Sequence, residues 1–222
     1  MTETNNIKDL FKEKSLFVLA LTHKSWVNEH PNQRESNERL EFLGDAILEF
    51  VVSDELFKKI PDKEEGYLTA LRANLVNTIN LSEVAKELNI GKILYLSKGE
   101  EETGGRKNQS ILADTIEAVI GALFLDGGIE KAQIFIKKHI LVNLNEKIQG
   151  PLKDAKSLLQ EYVQSKGLPA PRYDVIEENG PDHSKTFKIQ VVIAGKGIAF
   201  GLGKNKSEAA QEAAKKALEI FL

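Results

Sequence analysis

The sequence predicts an all-α first domain followed by a small α+β domain with the element order α-β-β-β-α. In the first part of the chain apolar residues recur at helical spacing, whereas after residue 151 strict alternation becomes common. Gln149-Gly150-Pro151 separates the two patterns, and glycine and proline both interrupt regular structure. We therefore predict domains at 1–149 and 154–222, joined by a linker at 150–153.

Two segments of the first domain carry the strongest helical pattern. In 37–57 the apolar residues are spaced three, four, three and one apart, and they are Leu40, Leu43, Ile47, Phe50 and Val51. The same face-forming pattern occurs in 110–125, in Leu112, Ile116, Val119, Ile120 and Leu123. Further helices are expected near 7–20, 67–88 and 129–147.

The second domain combines two predicted helices with three predicted strands. The first helix, 153–166, would turn Leu158, Leu159 and Tyr162 inward. Strands are expected at 172–178, 185–193 and 197–203, and alternate residues of the second share one face, namely Phe187, Ile189, Val191 and Ile193. The last helix, 207–222, presents a flat alanine face suited to packing on a sheet, formed by Ala210, Ala213, Ala214 and Ala217.

Composition excludes several classes of protein. Hydrophobic residues make up 41% and charged residues 28%, which argues against a disordered chain. There is no cysteine for disulfides or thiolate metal sites. No apolar run reaches the roughly 18–20 residues of a membrane span, and no signal-peptide core is visible, so a cytoplasmic location is expected. Gly201-Leu202-Gly203 lacks the third glycine of a dinucleotide-binding loop, so no nucleotide cofactor is expected.

The net charge of −3 conceals a difference between the two domains. Residues 1–150 contain 19 basic and 24 acidic residues, a net of −5, whereas 151–222 contain 11 and 9, a net of +2. The whole-chain value argues against a nucleic-acid partner, but the second domain by itself does not.

Five acidic residues stand out because helix periodicity puts them on two helix faces. Glu38, Glu41 and Asp45 fall within about 60° of arc, and Asp114 and Glu117 are three residues apart. Neighbouring like charges repel, so such faces are unfavourable for stability alone. If the two helices meet, five carboxylates converge.

Oxygen-only ligands suit the hard cations Mg²⁺ and Mn²⁺. Two such ions about 3.5–4 Å apart can activate water and stabilise the leaving oxygen in phosphodiester hydrolysis. Acidic helix faces are also often simply solvated, so spacing alone leaves both interpretations open.

Three sequence blocks resemble a known family. Asn37 to Ala46, with the letters NERLEFLGDA, closely resembles the signature of the ribonuclease III catalytic domain. Leu21 to Ser25 (LTHKS) and Ile111 to Ala118 are similar to two further blocks of that family. The resemblance implies an all-α nuclease domain that cuts double-stranded RNA with Mg²⁺, for which Mn²⁺ would substitute.

The same resemblance assigns roles to individual acids. It implies four metal ligands: Glu41, Asp45, Asp114 and Glu117. Asp45 and Glu117 would be most closely tied to catalysis, with Glu38 assisting on the same face. Glu65 and Glu100 resemble secondary acidic positions near the RNA path, although both also fit surface acids beside loops.

The family resemblance also implies products and assembly. Cleavage would leave 5′-phosphate and 3′-hydroxyl ends with a short 3′ overhang, and ribosomal RNA precursors and other structured transcripts are the expected substrates. A homodimer is implied, in which Phe42 enters a cavity of the partner subunit. A partly exposed aromatic residue without that role is the alternative.

The second domain resembles the double-stranded RNA-binding domain, which recognises a duplex by shape over about 16 bp. Gln160 and Glu161 on its first helix would meet one minor groove and His183 the next, while Lys204 and Lys206 would lie near phosphates. The run after Lys206 lacks further lysines of the family pattern, so weaker, less salt-dependent binding is expected.

Two other functions remain open at this point. A non-cleaving regulator that binds double-stranded RNA would keep the same two domains, and a structural metal-binding helical protein would bind no RNA. All matched acidic positions are filled, which favours the enzyme.

Overall fold

The computed structural model describes residues 7–142, 144–149, 155–181 and 185–221. The chain divides into two compact units between residues 150 and 151. The predicted fold class is confirmed: the first unit is helical, and the second has a three-stranded sheet with helices. The predicted linker at 150–153 lies outside the described residues, so the domain bounds remain a prediction.

The first unit consists of α-helices joined by short connections. They are α1 (Lys14–Ala20), α2 (Lys24–Glu29), α3 (Glu38–Lys59), α4 (Glu65–Leu75), α5 (Thr78–Glu87), α6 (Ile90–Ile93), α7 (Lys98–Glu102), α8 (Gln109–His139) and α9 (Leu144–Gln149). Two 3-10 turns, Ile7–Leu10 and Gly105–Lys107, complete it. None of the described helices is both long enough and apolar enough to cross a membrane.

The two segments with the strongest pattern, α3 and α8, form the centre of this unit. Leu40 and Val51 of α3 are buried, as are Ile116 and Ile120 of α8. The inward placement predicted for Phe50 is wrong, because its side chain is 60% exposed. Phe50 lies about 100° from Val51 around the helix, at the edge of the apolar face.

The other segments predicted as helices are helical, but each is divided into two elements. The segment 67–88 is two helices, because Asn77 accepts the Asn80 N–H at 2.9 Å and starts α5 as its N-cap. The segment 129–147 is the second half of α8 followed by α9. The two halves of α8 meet at a kink, where Gly128 adopts a φ of 77° that favours glycine. The predicted first helix is likewise divided into a 3-10 turn and α1.

The crossing of α3 and α8 is unusually close because a glycine lies on each side. A Cβ at Gly44 of α3 would overlap the backbone carbonyl of Glu117 in α8. A Cβ at Gly121 of α8 would overlap the backbone carbonyl of Leu40 in α3. The two backbones therefore touch, and side chains next to this crossing are brought together.

The second unit is a single antiparallel sheet with a helix before it and a helix after it. Its elements are α10 (Ala155–Ser165), β1 (Arg172–Asn179), β2 (Thr186–Ile193), β3 (Lys196–Gly203) and α11 (Lys206–Phe221). The strand order is β1-β2-β3. Ala194 and Gly195 both have positive φ and join β2 to β3 in a two-residue turn.

The helices of this unit pack on one face of its sheet. Ile189, Val191 and Ile193 of β2 are buried, as the alternation predicts, together with the alanine face of α11. A Cβ at Gly201 would overlap the α11 backbone, so this glycine serves helix packing. The inward placement of Leu158 is wrong because its side chain is exposed, whereas Leu159 is fully buried as predicted.

Replacing Gly44 with alanine tests the close crossing. We expect Gly44→Ala to destabilise the protein by about 1–3 kcal/mol or more, because the new methyl group meets backbone that cannot move aside. Gly66→Ala in α4 is the matched control, since a Cβ there meets nothing within 4 Å. Thermal unfolding should show a lower melting temperature for the first variant only; equal melting temperatures would contradict the backbone contact.

Candidate metal centre and nucleic-acid interface

Three carboxylates converge at the crossing of α3 and α8. Glu41 extends from α3, and Asp114 and Glu117 extend from α8, one helical turn apart. One oxygen from each lies within 4.8 Å of the others. We call these three residues the acidic cluster. Its members meet because Glu41 follows Leu40, whose carbonyl lies against Gly121, and Glu117 itself lies against Gly44.

The acidic cluster is electrostatically unfavourable without a cation. Burial raises the pKa of Glu41 and of Asp114, and the charge of Asp114 raises the pKa of Glu41 further. The effect is largest at Glu117, where burial and then the charges of Asp45, Asp114 and Glu41 raise the pKa to about 8. The site thus favours a neutral, protonated Glu117 until positive charge arrives.

The residues present fit a hard divalent cation. The acidic cluster offers only oxygen donors, close enough together to share one ion, and Mg²⁺ and Mn²⁺ prefer such donors. The pKa values of Glu41 and Asp114 stay raised although the charge of Lys24 lowers both, so the protein's own cations stabilise these carboxylates only in part. A bound ion would supply the missing charge and favour the ionised carboxylates.

Asp45 and Glu38 lie beside the acidic cluster without belonging to it. Asp45 is exposed on the next turn of α3, and its charge raises the pKa of both Glu41 and Glu117. Glu38 accepts a hydrogen bond from the Ser36 hydroxyl at 2.9 Å and pairs with Lys24 at 3.4 Å. These contacts, the Ser36 hydrogen bond foremost, lower the pKa of Glu38.

Sequence reasoning left the partner of Glu49 unidentified. The Arg72 guanidinium of α4 contacts the Glu49 carboxylate at 2.6 Å and donates to the Ser53 hydroxyl at 2.9 Å. Glu49 is near enough to raise the pKa of Glu117, so Arg72 balances charge at the border of the acidic cluster. An arginine 23 positions away in sequence gives no periodic signal by which the pair could be found.

The two secondary acids differ in their surroundings. Glu65 begins α4 and accepts a hydrogen bond from the Thr69 hydroxyl at 2.8 Å. Glu100 lies in the first turn of α7, where its N–H donates to the Ser97 hydroxyl at 3.1 Å. The charge of Glu100 acts on His23, which also interacts with Asp114. Glu100 is therefore connected electrostatically to the candidate metal centre through His23.

Three phenylalanines on α3 expose large apolar surface. Phe42 is 81% exposed, Phe57 72% and Phe50 60%. Phe50 and Phe57 line a cavity of about 350 Å³ between α3 and α4, with Leu68 also in its wall. Exposed apolar surface of this extent is typical of a protein–protein interface.

The predicted RNA contacts of the second unit lie on its surface. Gln160 and Glu161 are exposed on α10, and Lys204 is exposed just before α11. Lys206 begins α11 and pairs with Glu178 of β1 at 2.9 Å. His183 lies outside the described residues.

The raised pKa of Glu117 predicts a pH-dependent stability without divalent cations. Its ordinary pKa is 4.5 and its folded pKa about 8, so the stability that it contributes below pH 4.5 is lost as the pH rises to about 8. We expect the melting temperature of Glu117→Gln to fall less over this window than that of the wild type. Glu130→Gln, which changes an exposed carboxylate of the same helix, should retain the wild-type profile.

Comparison with known proteins supports both units. Residues 13–144 match the family described as Ribonuclease-III-like, and residues 155–220 match the double-stranded RNA binding motif. A curated protein named Ribonuclease 3 from Pelotomaculum thermopropionicum is 45% identical over 96% of this chain and 90% of its own length. One from Oceanobacillus iheyensis is 47% identical over 94% of this chain and 92% of its own length.

A solved structure agrees with the first unit. The nuclease domain of ribonuclease III from Campylobacter jejuni, described for flexibility in a region involved in dimer formation, is 41% identical. It has a TM-score of 0.58 and covers 64% of this chain and 99% of its own. The resemblance found in the sequence is thereby confirmed: the chain is an enzyme and belongs to the ribonuclease III family of double-stranded RNA-specific endoribonucleases.

Proposed function

We propose that this enzyme hydrolyses phosphodiester bonds of double-stranded RNA at the acidic cluster, with Mg²⁺ as the cofactor and Mn²⁺ as a substitute. The observation that carries the proposal is the convergence of Glu41, Asp114 and Glu117 within 4.8 Å, with raised pKa values. The same chain carries a double-stranded RNA binding motif, which brings the substrate to that centre.

In this proposal, acidic side chains of the first unit bind the cations. Glu41, Asp114 and Glu117 bind cations together with Asp45, and Glu38 assists from the border of the site. Two divalent cations held by these residues would supply an activated water and charge stabilisation for the departing 3′ oxygen, and the products would have 5′-phosphate and 3′-hydroxyl ends. Because the pKa of Glu117 is about 8 without cations, binding at neutral pH releases its proton.

The second unit recognises the shape of the duplex. Exposed Gln160 and Glu161 on α10 meet one minor groove, His183 meets the next, and Lys204 and Lys206 contact phosphates. The ion pair between Lys206 and Glu178 competes with phosphate for the ammonium group. This competition, together with the few lysines that follow, gives binding with a modest salt dependence.

The exposed phenylalanines of α3 support a homodimer. In a two-fold arrangement that places two α3 helices antiparallel, Phe42 of one subunit faces the partner near the cavity of Phe50 and Phe57. Each subunit then contributes one acidic cluster, one for each strand of the duplex. Two offset cuts leave a short 3′ overhang. The dimer formation named for the Campylobacter jejuni nuclease domain agrees with this proposal.

In the cell, the enzyme would work in the cytoplasm on ribosomal RNA precursors and other structured transcripts. A regulator that binds duplexes without cutting them would have no need of converging carboxylates with unfavourable pKa values. The acidic cluster therefore favours the nuclease over the non-cleaving alternative.

Removing one carboxylate separates cleavage from binding. We expect Glu117→Ala to reduce cleavage of a long RNA duplex in Mg²⁺ by at least about 1,000-fold, because it removes a shared ligand of the candidate metal centre. Gel-shift binding of the same duplex in Ca²⁺ should stay within about twofold of the wild type.

The controls are Glu130→Ala, which leaves the acidic cluster intact, and single-stranded RNA as substrate. Glu130→Ala should cut the duplex like the wild type, and neither protein should cut the single strand. A wild-type protein that binds the duplex but never cuts it in Mg²⁺ would contradict the nuclease.

A charge at Phe42 tests the homodimer. We expect Phe42→Glu to shift the protein from dimer to monomer at micromolar concentration, because a carboxylate cannot be buried in an apolar cavity without a partner. Sedimentation velocity measures the change. Ile79→Glu, at another exposed apolar residue of the same unit, should leave the dimer intact. A monomeric wild type, or a dimeric Phe42→Glu variant, would refute this interface.

A further inference from the structure

His23 is fixed beside the acidic cluster by contacts from two helices. It is the N-cap residue of α2, and the Ser25 N–H donates to its Nδ1 at 3.2 Å. The Ser25 hydroxyl lies 2.8 Å from the same nitrogen. That hydroxyl also accepts the Ser97 N–H, at 3.1 Å, from the residue that caps α7. The imidazole is therefore held by the two segments that flank the site.

These contacts determine which ring nitrogen carries the proton. A backbone N–H can only donate, so Nδ1 of His23 must be the acceptor. The Ser25 hydroxyl accepts from Ser97 and directs its own hydrogen to Nδ1. In the neutral imidazole the proton is then on Nε2, which none of the hydrogen bonds described above uses. His23 thus carries a fixed Nε2–H donor.

The surroundings of His23 are those of the candidate metal centre. Burial lowers the pKa of His23, while the charges of Glu100, Asp114 and Glu38 raise it and the charge of Lys24 lowers it. Conversely, His23 lowers the pKa of Asp114. The ring is half-buried, neutral by preference, and within electrostatic range of three carboxylates.

A phosphodiester entering this site meets mainly negative side chains. The acidic cluster, Asp45, Glu38 and Glu100 all repel phosphate, whereas His23 and Lys24 carry hydrogen-bond donors and interact electrostatically with several of these acids. Lys24 is 63% exposed at its side chain and already pairs with Glu38. The His23 ring is already oriented, so it loses little conformational freedom when it binds.

We propose that His23 is a substrate-contacting residue whose Nε2–H donates a hydrogen bond to a non-bridging oxygen of the scissile phosphate. The proposal rests on the proposed nuclease function. The donor orients the phosphate at the border of the acidic cluster, where carboxylates by themselves offer no hydrogen.

The substitution His23→Asn separates the N-capping of α2 by the ring from its donation of a hydrogen bond through Nε2. Asparagine is a favoured N-cap, so its Oδ1 can accept the Ser25 N–H, but it has no donor at the Nε2 position. We expect an unchanged melting temperature, unchanged duplex binding in Ca²⁺, and a single-turnover cleavage rate in Mg²⁺ that is lower by roughly 10- to 100-fold. His139→Asn, at another half-buried histidine of the first unit, is the matched control and should cut at the wild-type rate.

Sulfur substitution at the scissile phosphate gives a second readout, which a purely structural role would not change. Each non-bridging oxygen is replaced in turn by sulfur, a weaker acceptor. For one of the two diastereomers, the sulfur effect on the rate should be at least about fivefold smaller in His23→Asn than in the wild type. That loss of additivity identifies a direct contact.

The outcomes distinguish this inference from the nuclease function itself. If the wild type cuts the duplex and His23→Asn cuts equally fast, the contact with phosphate is refuted and the nuclease stands. Equal sulfur effects in both proteins, for both diastereomers, also refute the contact. If the wild type does not cut the duplex at all, the proposed function fails.

Discussion

The backbone contact between α3 and α8 is the constraint on which the functional part of this protein depends. Gly44 and Gly121 have no side chains, so each helix lies against a carbonyl of the other. This approach brings Glu41 within 4.8 Å of Asp114 and Glu117, which a crossing separated by ordinary side chains would not allow. A glycine inside a helix costs about 0.5–1 kcal/mol relative to alanine. Both Gly44 and Gly121 carry this cost, and both lie at the crossing where the carboxylates meet.

The electrostatic consequence is a site that is incomplete without cations. Burial and mutual repulsion raise the pKa of Glu117 to about 8, so without cations this residue keeps its proton at neutral pH. The protein's own cations lie at the border: Lys24 pairs with Glu38, and Arg72 pairs with Glu49. The charge of Lys24 lowers the pKa of Glu41 and of Asp114, but both pKa values stay raised, so the compensation is only partial. A divalent cation bound there would supply positive charge and reduce the negative charge that an approaching RNA meets.

The second unit uses small residues for a different purpose. Gly201 and the alanine face of α11 let a helix lie close to the sheet, so a small core suffices to hold the three strands. The first unit holds the chemistry and the second recognises the duplex, and the charge difference between the two domains follows from that division.

The sequence by itself determined the fold class, the helical faces and the identity of the acids, because each depends on local periodicity or on a contiguous motif. It did not determine that Phe50 is exposed or that one predicted helix is two, since edge positions and capping bonds depend on neighbours. Only the tertiary structure decided which acids share a centre and which lie beside it. It also revealed the pairing of Glu49 with Arg72 and the orientation of His23 by Ser25 and Ser97. The contacts of Glu49 with Arg72 and of Ser25 with Ser97 join residues far apart in the chain, and their energies depend on distance and burial, which residue spacing does not encode.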